Sequence, residues 1–172
     1  MKTENFIIPD METRQKIISA LVTDKNTLQA AKTAIALLEF SQKIQTSFDK
    51  HFARYGLTQS RFLILAALRS EEKRCWSSVE LSDLLAVKPP TMTGILDGLI
   101  NSGLIEKTVD SKDRRKSNIN ITAQGRKKID SVIADHMTRI TSSFAALAQQ
   151  QQEMALLQGK VNDSLSKLLE NR

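Results

Sequence analysis

The sequence predicts a mainly α-helical chain carrying one small β-hairpin, and three observations predict it. Between Ser77 and Asn101, two short apolar patterns at helical spacing are separated by Val87, Lys88, Pro89 and Pro90. From Leu104 to Thr122 the period changes to that of two strands around a charged tip. On either side, long stretches repeat apolar residues every three or four positions. Helix, tight turn, helix and basic hairpin, in that order, are the layout of a winged helix-turn-helix flanked by long N- and C-terminal helices.

The N-terminal extension contains Phe6, Ile7, Ile8 and Pro9, then a short helical pattern with Ile17, Ile18 and Leu21. From Thr27 to Arg54 apolar residues recur at Leu28, Ala31, Ile35, Leu38, Phe40, Ile44, Phe48 and Phe52, with neither proline nor glycine before Gly56. Such a helix is about 42 Å long at about 1.5 Å per residue, longer than so small a domain needs. Cys75 and Trp76 read as a short strand, and a free thiol there is expected to be buried and inert. Ser77, Ser78, Val79 and Glu80 match a capping box, so a helix is expected to start there, with Leu81, Leu84 and Leu85 on one face. It stops at Pro89 and Pro90, because proline removes a backbone donor and restricts the residue before it.

A second helix restarts with Pro90 in its first turn, where the missing N–H costs little. Met92, Ile95, Leu96, Leu99 and Ile100 form its apolar face, and Thr91, Thr93, Gly94, Asp97 and Gly98 form the other. Gly103 suits the left-handed position that closes many helices. Leu104 to Val109 and Ser117 to Thr122 then read as strands. After them Ile129, Val132, Ile133, Met137, Ile140, Phe144 and Leu147 restore the helical period, which continues through Met154, Leu157, Val161, Leu165 and Leu168. The run Gln149 to Gln152 is expected to mark a break between two C-terminal helices.

Charge is concentrated in the hairpin. From Ile105 to Lys128 eight basic residues (Lys107, Lys112, Arg114, Arg115, Lys116, Arg126, Lys127 and Lys128) stand against three acidic ones, which is five of the chain's formal +6. A basic hairpin beside a helix with a small, polar exposed face is what phosphate contact plus groove reading requires. Taken alone, the charge run also reads as a solvated hairpin; the helix pair before it favours nucleic acid. One tyrosine, one tryptophan and six phenylalanines, scattered, give no basic-aromatic stacking platform, which argues against single strands or RNA and for double-stranded DNA.

Several classes are disfavoured. No Gly-rich phosphate loop, His-Glu-x-x-His or glycine-flanked serine elbow is present, so no enzyme and no cofactor is expected. The single cysteine allows no internal disulfide. His51 and His136, the only histidines, lack spaced partners, so no metal is expected. No run of 18 apolar residues and no signal-peptide core after Met1 are found; the expectation is a cytoplasmic chain without a membrane partner.

An ordered set of motifs covers residues 56 to 128: Gly56, Leu57 and Thr58 opening a helix; Glu80, Leu81 and Ser82; Thr91, Met92 and Thr93 with Leu96, Asp97 and Leu99; Gly103, Leu104 and Ile105; Asp113, Arg114 and Arg115; and Ile121, Thr122 and Gly125. This set resembles the MarR family of bacterial and archaeal winged-helix regulators. The chain departs from the family's usual pattern at Gly94 and Gly98, where arginine or another basic residue is frequent, and at Lys107, which replaces a frequent arginine and loses its bidentate fork. Each helical glycine costs about 1 kcal/mol relative to alanine, which reads either as close backbone approach to DNA or as simple tolerance.

The long apolar stripes outside the winged helix need cover, and the resemblance implies that N- and C-terminal helices of two subunits interlock in a homodimer. The expected organisation is therefore a 1–26 extension, a long helix of the dimerisation region over 27–56, the winged helix-turn-helix over 57–128 and dimerisation helices over 129–172. A twofold dimer places two recognition helices about 34 Å apart on one DNA face, so the site is expected to be a pseudo-palindrome. The expected function is a sequence-specific duplex-DNA-binding transcriptional regulator, a repressor. The alternative is a winged-helix architectural or assembly module with only non-specific DNA binding.

The expected DNA-contacting set is Gln59, Ser60, Ser77, Lys88, Pro89, Pro90, Thr91, Thr93, Gly94, Asp97, Lys107, Lys112, Asp113, Arg114 and Arg115. Thr91 and Thr93 can bond a phosphate or base edge and touch a thymine methyl. Pro89 and Pro90 present the amides that follow them at the positive end of the helix dipole. Gln59 and Ser60 add phosphate contacts, as does Lys107. Asp97 reads as an acceptor from a cytosine amine or as the partner of a wing cation. One of Arg114 and Arg115 reaches the minor groove while Asp113 orients the other, Arg115 by the family pattern. The resemblance also implies release by a small aromatic or phenolic effector, with Phe48, Phe52, Tyr55 and Phe62 as candidate lining residues, although all four read first as core. Replacing Arg114 and Arg115 together by alanine is expected to abolish most duplex binding while leaving the dimer intact. Unchanged binding at moderate salt would remove the wing from the mechanism.

Overall fold

The computed structural model describes residues 11–72, 74–109 and 117–170. In order, the elements are α1 (Met11–Leu21), α2 (Lys25–Ala53), α3 (Gln59–Ser70), α4 (Ser78–Leu85), α5 (Pro89–Asn101), β1 (Ile105–Val109), β2 (Ser117–Ile121), α6 (Ala123–Phe144), a 3-10 turn (Ala145–Gln150) and α7 (Gln151–Glu170). The fold is mainly α with a two-stranded antiparallel hairpin, as the sequence predicts. The chain divides into two compact units after Phe62, inside α3.

In the first unit α1 packs on α2. Asp24 caps α2, its carboxylate accepting from the Thr27 amide at 2.7 Å. The helix ends where Gly56 takes φ +64, which lets the Leu57 amide reach back to the Phe52 carbonyl at 3.1 Å. Ile35, His51, Phe52, Leu57 and Phe62 are buried, whereas Leu37, Leu38 and Phe40 are exposed.

The second unit contains the helix pair and the hairpin. Ile64, Leu65 and Leu68 of α3, Leu81 of α4, Met92 and Leu99 of α5, Ile105 and Ile119 of the hairpin, and Ile129 and Val132 of α6 are almost fully buried. α4 packs against α5 and β2, and α5 against β1. The turn between α4 and α5 is closed by Ala86 at φ 50, the only non-glycine residue with positive φ among those described. The Val87 amide then bonds the Ser82 carbonyl at 3.0 Å. An L-residue in this region is strained, so the tight turn is held by the packing on either side of it.

The hairpin pairs Ile105 with Ile121, Glu106 with Asn120, Lys107 with Ile119 and Thr108 with Asn118. Trp76 adds a bridge on the outer edge of β2, its carbonyl accepting from the Ile119 amide at 2.8 Å. That bridge corrects one expectation: Cys75 is exposed, not buried. Neighbouring residues of an extended chain face opposite ways, and Trp76 takes the inward position with only 5% of its surface exposed.

α6 begins against the hairpin. The Thr122 hydroxyl donates to the Gly103 carbonyl at 2.7 Å and accepts from the Gly125 amide at 3.0 Å, capping the helix. A Cβ on Gly125 would lie 2.0 Å from the Leu104 carbonyl oxygen and 2.8 Å from Ile121 Cγ1. Farther along, Arg69 of α3 grips Asp130 of α6 with two hydrogen bonds, of 2.8 and 3.3 Å. The C-terminal break falls earlier than the glutamine run suggests: the 3-10 turn starts at Ala145, and Gln151 already opens α7. No side chain caps that turn, so nothing local marks it in the sequence. Every described side chain of α7 is exposed, including Met154, Leu157, Val161 and Leu165.

Gly125→Ala forces a methyl group into the Leu104 carbonyl and is expected to cost about 3 kcal/mol, the upper range for overpacking. Urea unfolding measures it, and a loss below about 0.5 kcal/mol would show that α6 can lift off the hairpin freely.

Candidate nucleic-acid interface

The geometry of α5 follows from its two faces. Met92, Leu96 and Leu99 are buried, while Thr91, Thr93, Gly94 and Asp97 on the opposite side are exposed. Three buried anchors at i, i+4 and i+7 fix the rotation of the helix about its axis, so the polar side has a defined aspect. Lys88 is the N-cap residue and makes no side-chain capping bond; its side chain is exposed. Pro89 and Pro90 occupy the first two helical positions and have no N–H. The Met92 amide is bonded to the Lys88 carbonyl at 3.1 Å. The first-turn donor left for an anion is therefore the Thr91 amide, a narrower contact than a row of free amides.

Thr93 donates its hydroxyl hydrogen to the Pro89 carbonyl at 3.1 Å, so towards a ligand it offers its lone pairs. A Cβ added at Gly94 would meet nothing within 4 Å, so no packing within the protein calls for glycine there.

α4 is fastened from its start. Ser77 and Glu80 form the reciprocal capping box: the Glu80 amide donates to Ser77 Oγ at 3.2 Å and the Ser77 amide to Glu80 Oε2 at 2.8 Å. The Ser77 hydroxyl also donates to Glu80 Oε2 at 2.8 Å. Ser77 thus serves α4 with both its hydroxyl and its amide. Arg74 donates to Glu80 Oε1 at 3.0 Å and to Glu71 at 3.1 Å, and its guanidinium lies 4.0 Å from the Trp76 ring centroid. The Ser77 amide first, then the Arg74 guanidinium, hold the Glu80 carboxyl down at about 2 from an ordinary 4.5. Sequence reading had the capping box and missed Arg74, because its partners lie on both sides of a turn that periodicity does not describe.

Lys107 is exposed opposite Ile119 on β1. Lys112, Asp113, Arg114 and Arg115 lie outside the described residues. Gln59 and Ser60 stand in the first turn of α3 within the other compact unit, Gln59 exposed and Ser60 half-buried. In that same unit Phe52 and Phe62 stack at 4.4 Å and are buried. Phe48 meets Phe52 edge-on at 6.4 Å, Tyr55 meets His51 at 5.5 Å, and both Phe48 and Tyr55 are half-buried. Among the described residues no helix is long and apolar enough to cross a membrane.

The model of the MarR family matches residues 57–117, the stretch that holds α3, α4, α5 and β1 and stops at the first residue of β2. That stretch matches the MarR family. The chain is 27% identical over 120 residues to the HTH-type transcriptional repressor YetL of Bacillus subtilis, across 70% of its own length and 72% of YetL. It is 35% identical over 88 residues to the HTH-type transcriptional regulator PapX of Escherichia coli, across 51% of its length and 54% of PapX. The chain thus spans about half the length of PapX. A solved MarR family transcription regulator superposes with a TM-score of 0.73 at 19% identity, covering 86% of this chain and 97% of that one. MepR of Staphylococcus aureus, in a complex with DNA, gives 0.64 at 18% identity, covering 78% and 95%. At such identities the likeness establishes the fold. The relatives matched in sequence, YetL and PapX, are named transcriptional regulators of the helix-turn-helix type.

Glu80 ties α4 to pH. Its folded value lies below its ordinary one, so the ionised carboxylate contributes stability above about pH 4.5 that is lost as pH falls towards about 2. The side chain is 41% exposed, and solvent screening keeps the contribution modest. Glu80→Ala is expected to cost about 1 kcal/mol at pH 7, the net worth of a typical hydrogen bond, with the gap to wild type closing over that acid window in unfolding curves. A gap independent of pH would show that the charge plays no part.

Proposed function

We propose that this regulator is a repressor that binds a pseudo-palindromic duplex-DNA operator as a homodimer. The observation that carries the reading is α5 itself, a helix locked by Met92, Leu96 and Leu99 on one side and small, polar and exposed on the other. Thr91, Thr93 and Asp97 can bond base edges and phosphates in a major groove. The open space at Gly94 supports close backbone approach, since the helix stability given up there is not recovered by packing within the chain. Lys88 and Lys107 supply phosphate contacts, and of Lys112, Asp113, Arg114 and Arg115, which lie outside the described residues, one arginine reaches the minor groove and Asp113 orients the other. Gln59 and Ser60 add contacts from the start of α3. YetL is named a repressor and MepR was solved with DNA, which supports the same role here. DNA as partner puts the work of the chain in the cytoplasm.

The exposed apolar residues of α2 and of α7 support the homodimer. Helices in proteins owe most of their stability to packing of an apolar face, and Met154, Leu157, Val161 and Leu165 give α7 an exposed stripe that a second subunit can cover. Release by a small aromatic or phenolic effector completes the proposal. Phe52 and Phe62 are spent on each other, so such an effector would meet the half-buried Phe48 and Tyr55 first.

Duplex binding at several salt concentrations, comparing DNA upstream of the protein's own gene with random DNA of equal length, tests the reading. The expected outcome is tight, salt-steep binding of one dimer, preferring the upstream DNA at least about a thousandfold. Weak and equal binding to both would overturn sequence-specific regulation in favour of an architectural role.

A further inference from the structure

A cluster at the foot of α4 is not accounted for by the contacts proposed above. Arg74 sits between α3 and α4 and gathers three partners: Glu71 at 3.1 Å, Glu80 at 3.0 Å and the face of Trp76 at 4.0 Å. Each partner leads to a different element. Glu71 follows the last turn of α3, and Glu80 closes the capping box that starts α4. The Trp76 carbonyl accepts from Ile119 of β2, while its ring is 95% removed from solvent. α4 in turn packs against α5. A planar guanidinium is suited to this place, since it can bond two carboxylates in its plane and stack on an indole with its face.

We propose that Arg74 is a positioning residue for DNA reading, holding α4 and the wing strand in register by joining Glu80 to Trp76 without touching DNA itself. The inference rests on the duplex-reading function proposed above. Arg74 is basic and partly exposed, so the competing reading is a direct phosphate contact. The two differ in sign at Glu80. If Arg74 works through Glu80, neutralising Glu80 loosens the device and weakens binding. If Arg74 contacts phosphate, neutralising Glu80 frees the guanidinium and strengthens binding.

Duplex affinity of the full-length wild type, Arg74→Ala, Arg74→Lys, Glu80→Gln and the double variant Arg74→Ala/Glu80→Gln, each across a salt series, decides between them. Expected are about tenfold weaker binding by Arg74→Ala, no rescue by Arg74→Lys, and weaker binding by Glu80→Gln. The double variant is expected to be no worse than Arg74→Ala, because the two residues act as one unit. The salt slope is expected to stay at the wild-type value. Emission from Trp76, the chain's single tryptophan, is expected to change when the cation leaves its ring. Tighter or unchanged binding by Glu80→Gln, rescue by lysine, or a salt slope reduced by about one would overturn the proposal, as would wild-type affinity in Arg74→Ala. Glutamine still serves at the third position of a capping box, so Glu80→Gln decides the matter by its sign even where Arg74→Ala fails to fold. A wild-type chain that binds no duplex removes this proposal together with the function it rests on. Wild-type binding with an unaffected Arg74→Ala removes this one alone.

Discussion

The winged helix depends on one close approach, that of Gly125 to the Leu104 carbonyl. α6 can start against the hairpin only because position 125 carries no Cβ; any other residue would place an atom 2.0 Å from that oxygen. Thr122 closes the same junction, donating its hydroxyl to Gly103 while its amide bonds Leu104 at 3.1 Å. Gly103, at φ +67, ends α5 at this very point. The end of α5, the start of β1, the end of β2 and the first turn of α6 are thus tied within a few residues. α5 cannot shift along its axis without disturbing the hairpin.

That knot explains how so short a helix presents a defined surface. α5 is buried along Met92, Leu96 and Leu99, closed at one end by Gly103 and opened at the other by two prolines. What faces outward is small: two threonines, a glycine and an aspartate. A surface of that kind suits a groove floor better than a protein partner, whose interfaces favour aromatic and long apolar anchors. The turn before it is strained at Ala86, and the capping box and Arg74 hold α4 on the other side of that turn.

The long helices present the opposite problem. In the winged helix most large apolar residues are buried, whereas every described apolar side chain of α7 is exposed. α2 is intermediate, with Ile35 and Phe52 covered and Leu37, Leu38 and Phe40 open. Apolar surface in stripes this long is seldom left to water, and a second subunit is the cover that the proposal assigns.

Much of the site was legible in the sequence because it is local. The capping box at Ser77 and Glu80, the proline start of α5, the glycine close at Gly103 and the alternation Ile119 and Ile121 all concern residues within a few positions of each other. Local rules for helix ends and strand period suffice to read them. Only the tertiary structure decided what depends on residues distant in the chain. The outward face of Cys75 follows from the pairing of Trp76 with Ile119, and the closeness required at Gly125 follows from where the Leu104 carbonyl lies. The burial of Phe52 and Phe62 follows from the ring stack between α2 and α3, and the contacts of Arg74 from partners on both sides of a turn. Sequence period tells which face of an element is apolar, but not which neighbour meets it, because that is set by contacts the chain makes only once it has folded.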